Sequence, residues 1–248
     1  MSKRSFYGIL TKGQNRIRTE NRQMIVSHAN RFIFFHNPKC AGTSFRDALK
    51  PYHDDAFTFW GIFHAPYFRN HIDHTHLRLW EMHAQFPRIF NCIESYQSVI
   101  FVRNPYTRFL SAVNEHVKKF QPKIDLTVMT PERRVEVVEA LIQKVLTIEN
   151  ITTNWRFIHF SPQLWYLRLG DRTIPRHIIP MGSDNAFMHQ ALSILGLPDL
   201  PLPHHNPSPI DLTSALASPI VNGFVREFYA DDFAFLQADE RLAFLAAA

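Results

Sequence analysis

Apolar positions along this chain gather into short unbroken runs and into stripes at helical spacing, separated by polar turns. Phe32 to Phe35 is a solid apolar run of strand length, and Val99 to Val102 is a second. Both runs end in a polar turn with an Asn-Pro pair, Asn37-Pro38 in one case and Asn104-Pro105 in the other. A helical segment follows each turn, Phe45 to Leu49 and then Pro105 to about residue 118, with Pro105 suited to a first helical position. Residues 51–76 are crowded with aromatic and histidine side chains but have no clean period, which predicts an irregular insertion. Leu77 to Phe86 has the length of a short helix.

Downstream, Val135, Val138, Leu141, Ile142 and Val145 recur at helical spacing, with Thr130 as N-cap and Pro131 at the first position of a helix ending near Leu146. His177 to Met181 predicts a third strand. Ser183 to Leu195 predicts a helix stopped by Gly196 and Pro198. A proline-rich connector, Pro198 to Pro209, leads to a last amphipathic helix over Ile220 to Leu236. Strands alternating with helices predict an α/β fold: a three-layer, mostly parallel sheet flanked by helices. No internal repeat is visible. The expectation is one domain over residues 1–248, with a polar arm (1–29), a core (30–236) and a C-terminal tail (237–248).

Composition narrows the class. At 248 residues and 46% hydrophobic, the chain has enough apolar content for a full core and is not disordered in bulk. A formal charge of +5 favours anionic partners without distinguishing a nucleotide from an anionic glycan. The two cysteines, Cys40 and Cys92, do not make a disulfide framework, and they fit a reducing compartment. No run approaches the ~18 apolar residues of a membrane span, and the basic N-terminus lacks the apolar stretch of a signal peptide. A cytoplasmic protein without an integral membrane segment is expected.

The chemistry concentrates after the two apolar runs. Pro38-Lys39-Cys40-Ala41-Gly42-Thr43-Ser44 lies between a strand and a helix. That order aims backbone N–H groups and the positive end of a helix dipole at one point, and a lysine and two hydroxyls add to it. Such a loop suits a phosphate or sulfate. Thr43 and Ser44 serve equally as helix caps. The nucleotide-triphosphate spacing G-x-x-x-x-G-K-[ST] is absent, since Lys39 precedes Gly42 by three residues. In the second element Arg103 sits at a strand's C-terminal end, where open parallel sheets collect ligands. Ser111 follows eight residues later, about two helical turns on. Arg108 is either a phosphate contact or a helix-surface residue.

Taken together, the two elements resemble the PAPS-dependent sulfotransferases, in the branch of the carbohydrate O-sulfotransferases. In that family the first loop, here Pro38 to Ser44, wraps the 5′-phosphosulfate. The second, here Val102 to Ala112 with Arg103 and Ser111, binds the 3′-phosphate. Ser161-Pro162-Gln163-Leu164-Trp165-Tyr166-Leu167 resembles the family's Pro-Gln segment. Pro203-His204-His205-Asn206 and Phe228 to Phe233 resemble its C-terminal pattern. The resemblance covers about residues 31–236. It implies a fold like that of P-loop kinases, PAPS as sulfuryl donor, and a hydroxyl acceptor on a glycan or glycolipid. Nucleic acid is not an expected partner. Animal members carry a Golgi membrane anchor, and none is visible here, so a soluble bacterial relative is expected.

Acceptor activation needs a base. In the heparan sulfate 2-O-sulfotransferases it lies in a His-Gly-His-Val segment upstream of the 3′-phosphate motif, which His74-Thr75-His76-Leu77 resembles. His76 is the preferred base, His74 the next and His83 the third, with Glu81 or Glu94 as carboxylate alternatives. Lys39 is the candidate cation for charge on the departing oxygen. His74, His76 and His83 lack a metal-binding framework around them, so no metal is expected. Two other classes remain: a kinase-like phosphotransferase, and a non-catalytic module for anionic glycans or nucleic acid.

Overall fold

The computed structural model describes residues 24–202 and 210–247. Strands β1 (Ile25–Ser27) and β2 (Phe32–Phe35) lead into helix α1 (Gly42–Leu49). A hairpin of β3 (Ile62–Ala65) and β4 (Asn70–Asp73) precedes α2 (Leu79–Gln85) and α3 (Pro87–Cys92). Strand β5 (Gln97–Val102) feeds α4 (Pro105–Phe120), followed by α5 (Pro131–Lys144), α6 (Ile148–Thr153) and α7 (Leu164–Leu167). A two-residue hairpin, β6 (Arg168–Leu169) and β7 (Arg172–Thr173), leads to β8 (His177–Pro180) and α8 (Ala186–Ile194). Helices α9 (Pro219–Phe228) and α10 (Ala230–Gln237) come last.

The central sheet has the order β1-β2-β5-β8. Its three pairings differ in sense: β2, β5 and β8 run parallel, while β1 pairs antiparallel at the edge. Ile33, Phe35, Ile100 and Val102 point to one face, where Leu79, Met82, Ile89, Tyr166 and Leu236 cover them. Phe32, Phe34, Val99 and Phe101 point to the other, against Phe45 and Leu49 of α1 and Phe187 and Leu192 of α8. Both faces are buried, so the strands read as solid apolar runs rather than alternating ones. The result is a mixed α/β fold with a mostly parallel sheet between flanking helices. A third core, built by Phe109, Val113, Val138, Leu141, Val221 and Val225, joins α4, α5 and α9 beside the sheet.

Several elements differ from the sequence expectation, each for a local reason. β1 lies within the stretch expected to be a polar arm, because three buried residues are too few to show a period. Residues 51–76 hold the β3–β4 hairpin, with His64 opposite His71, rather than irregular chain throughout. Burial along its strands is mixed, so no alternation marks it. Pro87 restarts the chain as α3 directly after α2 ends. The expected last helix breaks in two at Tyr229, whose buried hydroxyl donates to the Phe160 carbonyl at 2.9 Å. Leu242 and Leu245, expected in a tail, are buried in the core of the first face. The Pro203-His204-His205-Asn206 segment lies outside the described residues. Among the described residues no helix is long and apolar enough to cross a membrane.

Candidate functional site

The first loop leaves β2 at His36. Asn37 donates to the Phe101 carbonyl at 2.9 Å, which ties the loop to β5. Lys39 and Ala41 both adopt left-handed backbone, at φ 67° and 57°. A non-glycine residue there costs on the order of 1 kcal/mol, and such strain gathers at functional sites. Ala41 is the N-cap of α1 and supplies no side-chain cap. Thr43 and Ser44 lie inside the first turn and are not caps. The leading N–H groups of α1 are therefore left without a side-chain partner, as an anion site requires. Gly42 is dictated by its neighbour: a Cβ there would stand 2.2 Å from Cδ2 and 2.5 Å from Nε2 of His36. Cys40 is fully buried, and burial pushes its thiol up to about 11. The protonated thiol donates to the Pro38 carbonyl at 3.6 Å and to the Gln163 side-chain oxygen at 3.5 Å, so it helps hold the turn.

The second motif meets the first directly. Arg103 donates from its guanidinium to the Lys39 carbonyl at 3.2 Å and to the Thr107 hydroxyl at 3.0 Å. Among the described residues no carboxylate pairs with it, and burial lowers its pKa. Asn104 caps α4 by accepting from the Thr107 N–H at 3.1 Å. Thr107, Ser111 and Glu115 follow at intervals of four, on one face of α4. Lys39 reaches this face, its ammonium 3.5 Å from Glu115, whose other oxygen takes Lys119 at 2.6 Å. Burial lowers the Lys39 pKa, and the Glu115 charge opposes that shift.

Gln163 locks the two loops together. Its side-chain oxygen accepts from the Arg103 N–H at 2.9 Å and from Asn37 at 3.2 Å, while its amide donates to the Arg103 carbonyl at 2.8 Å. Asp232 of α10 in turn accepts from the backbone N–H groups of Gln163 and Leu164, both at 2.8 Å. Arg108 belongs to this frame. It is 1% exposed and donates to the Pro38 carbonyl at 3.0 Å and the Ser161 carbonyl at 2.8 Å. It is neither a surface residue nor placed to meet a phosphate.

The histidine candidates separate. His74 to His76 form a 3-10 turn and not an extended segment, so the two rings do not share a side. The His74 ring stacks on Phe63 at 4.6 Å and hydrogen-bonds Gln85 at 3.1 Å, inside an aromatic pocket with Phe57 and Phe86. The His76 ring faces the loop, 4.5 Å from the ring of His36 between centroids. His76 Nε2 lies 3.3 Å from Nε2 of His159, and its Nδ1 lies 3.5 Å from the His36 carbonyl. Burial lowers His76 to about 4, so the ring is neutral near pH 7 and able to accept a proton. Burial holds His36 and His159 well below the ordinary value too, with the charge of His76 next in weight. His83 is exposed against Phe90. Glu81 is buried in an ion pair with Arg78 at 3.2 Å, and Glu94 is exposed beside Arg172.

The structure thus brings Lys39, Arg103, Ser111 and His76 to one end of the sheet and leaves His74, His83, Glu81 and Glu94 elsewhere. Sequence reasoning missed His36, His159 and Glu115. His36 carried a usable signal, since it follows β2 as Arg103 follows β5. His159 stands four residues before Gln163, just ahead of the Pro-Gln segment that begins at Ser161, and nothing in the sequence singled it out.

Among the described residues, no group of three or more His, Cys, Asp or Glu side chains has the arrangement to hold a metal ion. Neither a curated protein nor a solved structure matches the chain. The family model described as "Sulfotransferase family" matches residues 22–204, which takes in the first loop, the Arg103 motif, the histidine turn and Gln163. The chain belongs to the sulfotransferase family.

Proposed function

We propose that this sulfotransferase takes the sulfuryl group from PAPS and passes it to a hydroxyl of a carbohydrate, free or on a lipid. One observation carries the reading: Arg103 bonds the Lys39 carbonyl, so two anion-seeking motifs from separate strands form one cradle at an uncapped helix N-terminus. The residues fit a nucleotide with two separate phosphate positions. The N–H groups of Gly42, Thr43 and Ser44 face the 5′ side, with Pro38, Cys40 and Ala41 shaping the turn. Arg103 and Ser111 take the 3′-phosphate. PAPS supplies the activated sulfuryl group, whose S–O bond to the nucleotide breaks as the acceptor oxygen bonds to sulfur.

Lys39 leaves Glu115 to neutralise charge growing on the departing oxygen, the kind of electrostatic help that dominates such transfers. His76, neutral and facing the loop, belongs to the base that takes the acceptor's proton. His74 holds the turn that presents it. The β3–β4 hairpin, with Tyr67 80% exposed at its tip, offers an aromatic face for a sugar ring. The rest of residues 51–76 and the segment 119–130 complete the acceptor surface.

Melting curves test the nucleotide assignment by linkage. Adenosine 3′,5′-bisphosphate should stabilise the protein more than adenosine 5′-monophosphate. Arg103→Ala should erase most of that difference. Equal stabilisation of the wild type by both ligands overturns the reading, and stabilisation by Mg-ATP alone would favour a kinase-like phosphotransferase.

A further inference from the structure

Three histidine rings from three distant parts of the chain converge beside the loop. His36 follows β2, His76 ends the turn after β4, and His159 lies in the 3-10 segment Trp155–Phe160. His76 is enclosed between the other two, 4.5 Å from His36 and 5.0 Å from His159 between ring centroids. Its two nitrogens both have neighbours. Nδ1 faces the His36 carbonyl at 3.5 Å, and a carbonyl can only accept, so the proton of neutral His76 sits on Nδ1. Nε2 then carries the lone pair, and it lies 3.3 Å from His159 Nε2, which must donate to it. In this arrangement His76 has no free nitrogen for an acceptor. His159 does: its Nδ1 has no hydrogen-bond partner among the described residues, and the residue keeps part of its surface exposed where His76 is buried at 7% exposure.

We propose that His159 and His76 act as one base, with His159 meeting the acceptor hydroxyl and His76 storing the charge. This rests on the sulfuryl-transfer reading above. The acceptor O–H bond breaks and its proton goes to His159 Nδ1. The proton on His159 Nε2 crosses to His76 Nε2. The acceptor oxygen bonds to sulfur, and the electron pair of the breaking S–O bond leaves on the nucleotide's 5′-phosphate oxygen. His159 ends neutral with its proton moved to Nδ1, and His76 ends as an imidazolium donating to the His36 carbonyl. Asp73 favours that cation, while Lys39 and Lys119 oppose it. Lys39, Lys119 and Arg108 likewise disfavour a charge on His159, and Arg46 and Lys39 disfavour one on His36. The charge therefore settles on His76.

Two measurements test the pair. With ring-¹⁵N histidine, wild-type His76 should show a protonated Nδ1 and a hydrogen-bonded Nε2. His159→Phe should shift the His76 Nε2 signal towards that of a free lone pair. His159→Gln keeps a donor in place and should hold the signal near wild type. In turnover assays His76→Ala and His159→Ala should each lower kcat about 100-fold or more, the usual worth of a general base. The double variant should be no worse than the poorer single one, because the two act as a unit. His159→Gln should stay slow despite its restored hydrogen bond, since an amide carries no proton across. Bisphosphate binding should be unchanged in all of them.

Overturning results are an unmoved His76 signal in His159→Phe, a His159→Ala kcat within about threefold of wild type, or multiplicative losses in the double variant. The ring spectra need no substrate. A chain that keeps the coupled rings but fails to bind the bisphosphate would fault the assigned reaction, and the relay with it, while leaving the hydrogen-bonded pair in place.

Discussion

Arg108 concentrates, in one side chain, the force that shapes the phosphate loop. A buried guanidinium must have its donors satisfied, and here carbonyls of the loop and of the Gln163 segment do so at 3.0 and 2.8 Å. Its charge is opposed across the frame by the buried Asp232, whose own pKa burial raises. Arg108→Ala would leave the Ser161 carbonyl unpaired, the Pro38 carbonyl with only the Cys40 thiol at 3.6 Å, and Asp232 without its counter-charge. We expect a loss of about 3 kcal/mol of stability, the range for breaking a buried ionic group. Arg108→Lys should recover little of it, because one ammonium cannot reach two carbonyls on different segments. Urea midpoints of the three proteins check this; a loss under 1 kcal/mol in Arg108→Ala would show that the frame holds without it. Sequence left Arg108 open between two roles, and it has a third. Position on a helix gives a residue's spacing but not what approaches from a segment fifty residues away.

At the scale of elements, the two strand–turn–helix units were legible because each is local. An apolar run, an Asn-Pro turn and a helix start all lie within about fifteen residues, and the physics that links them is backbone geometry. The β3–β4 hairpin was not, since its exposure follows no period. The clasp made by Gln163 was visible only as a dipeptide, its function being set by contacts to Asn37 and Arg103. Gly42 shows the same limit. A glycine at a helix start suggests a special backbone angle, yet its reason is the ring of His36 lying where a Cβ would be. Gly42→Ala must therefore push His36 away, and His36 supplies the carbonyl that faces His76. Expected are weaker bisphosphate binding and a turnover loss of tenfold or more, with the melting temperature of the free protein lowered by only a few degrees. Should Gly42→Ala match wild type in both binding and turnover, the packing of His36 on the loop has no bearing on the site.

For the whole molecule, the burial that assembles the site also sets its response to acid. His36, His74, His76, His116 and His159 all have lowered pKa values, with burial the first cause in each. In the unfolded chain each returns to about 6.5. Below that value the unfolded state binds protons that the folded state refuses, so stability is complete above about pH 7 and falls as the pH drops. Each imidazole contributes up to about 1.4 kcal/mol per pH unit until its folded pKa is reached, about 4 for His76. Asp232 and Glu81, raised by burial, act with the opposite sign and lessen the slope in the lower part of this window. Urea unfolding between pH 5 and 7.5 should show a steep decline, with more than one proton taken up on unfolding. His76→Gln should remove close to one of them. A stability that stays level down to pH 5 would contradict the burial of these rings. Bound bisphosphate should flatten the decline, because its negative charge beside Lys39 eases protonation of the folded cluster.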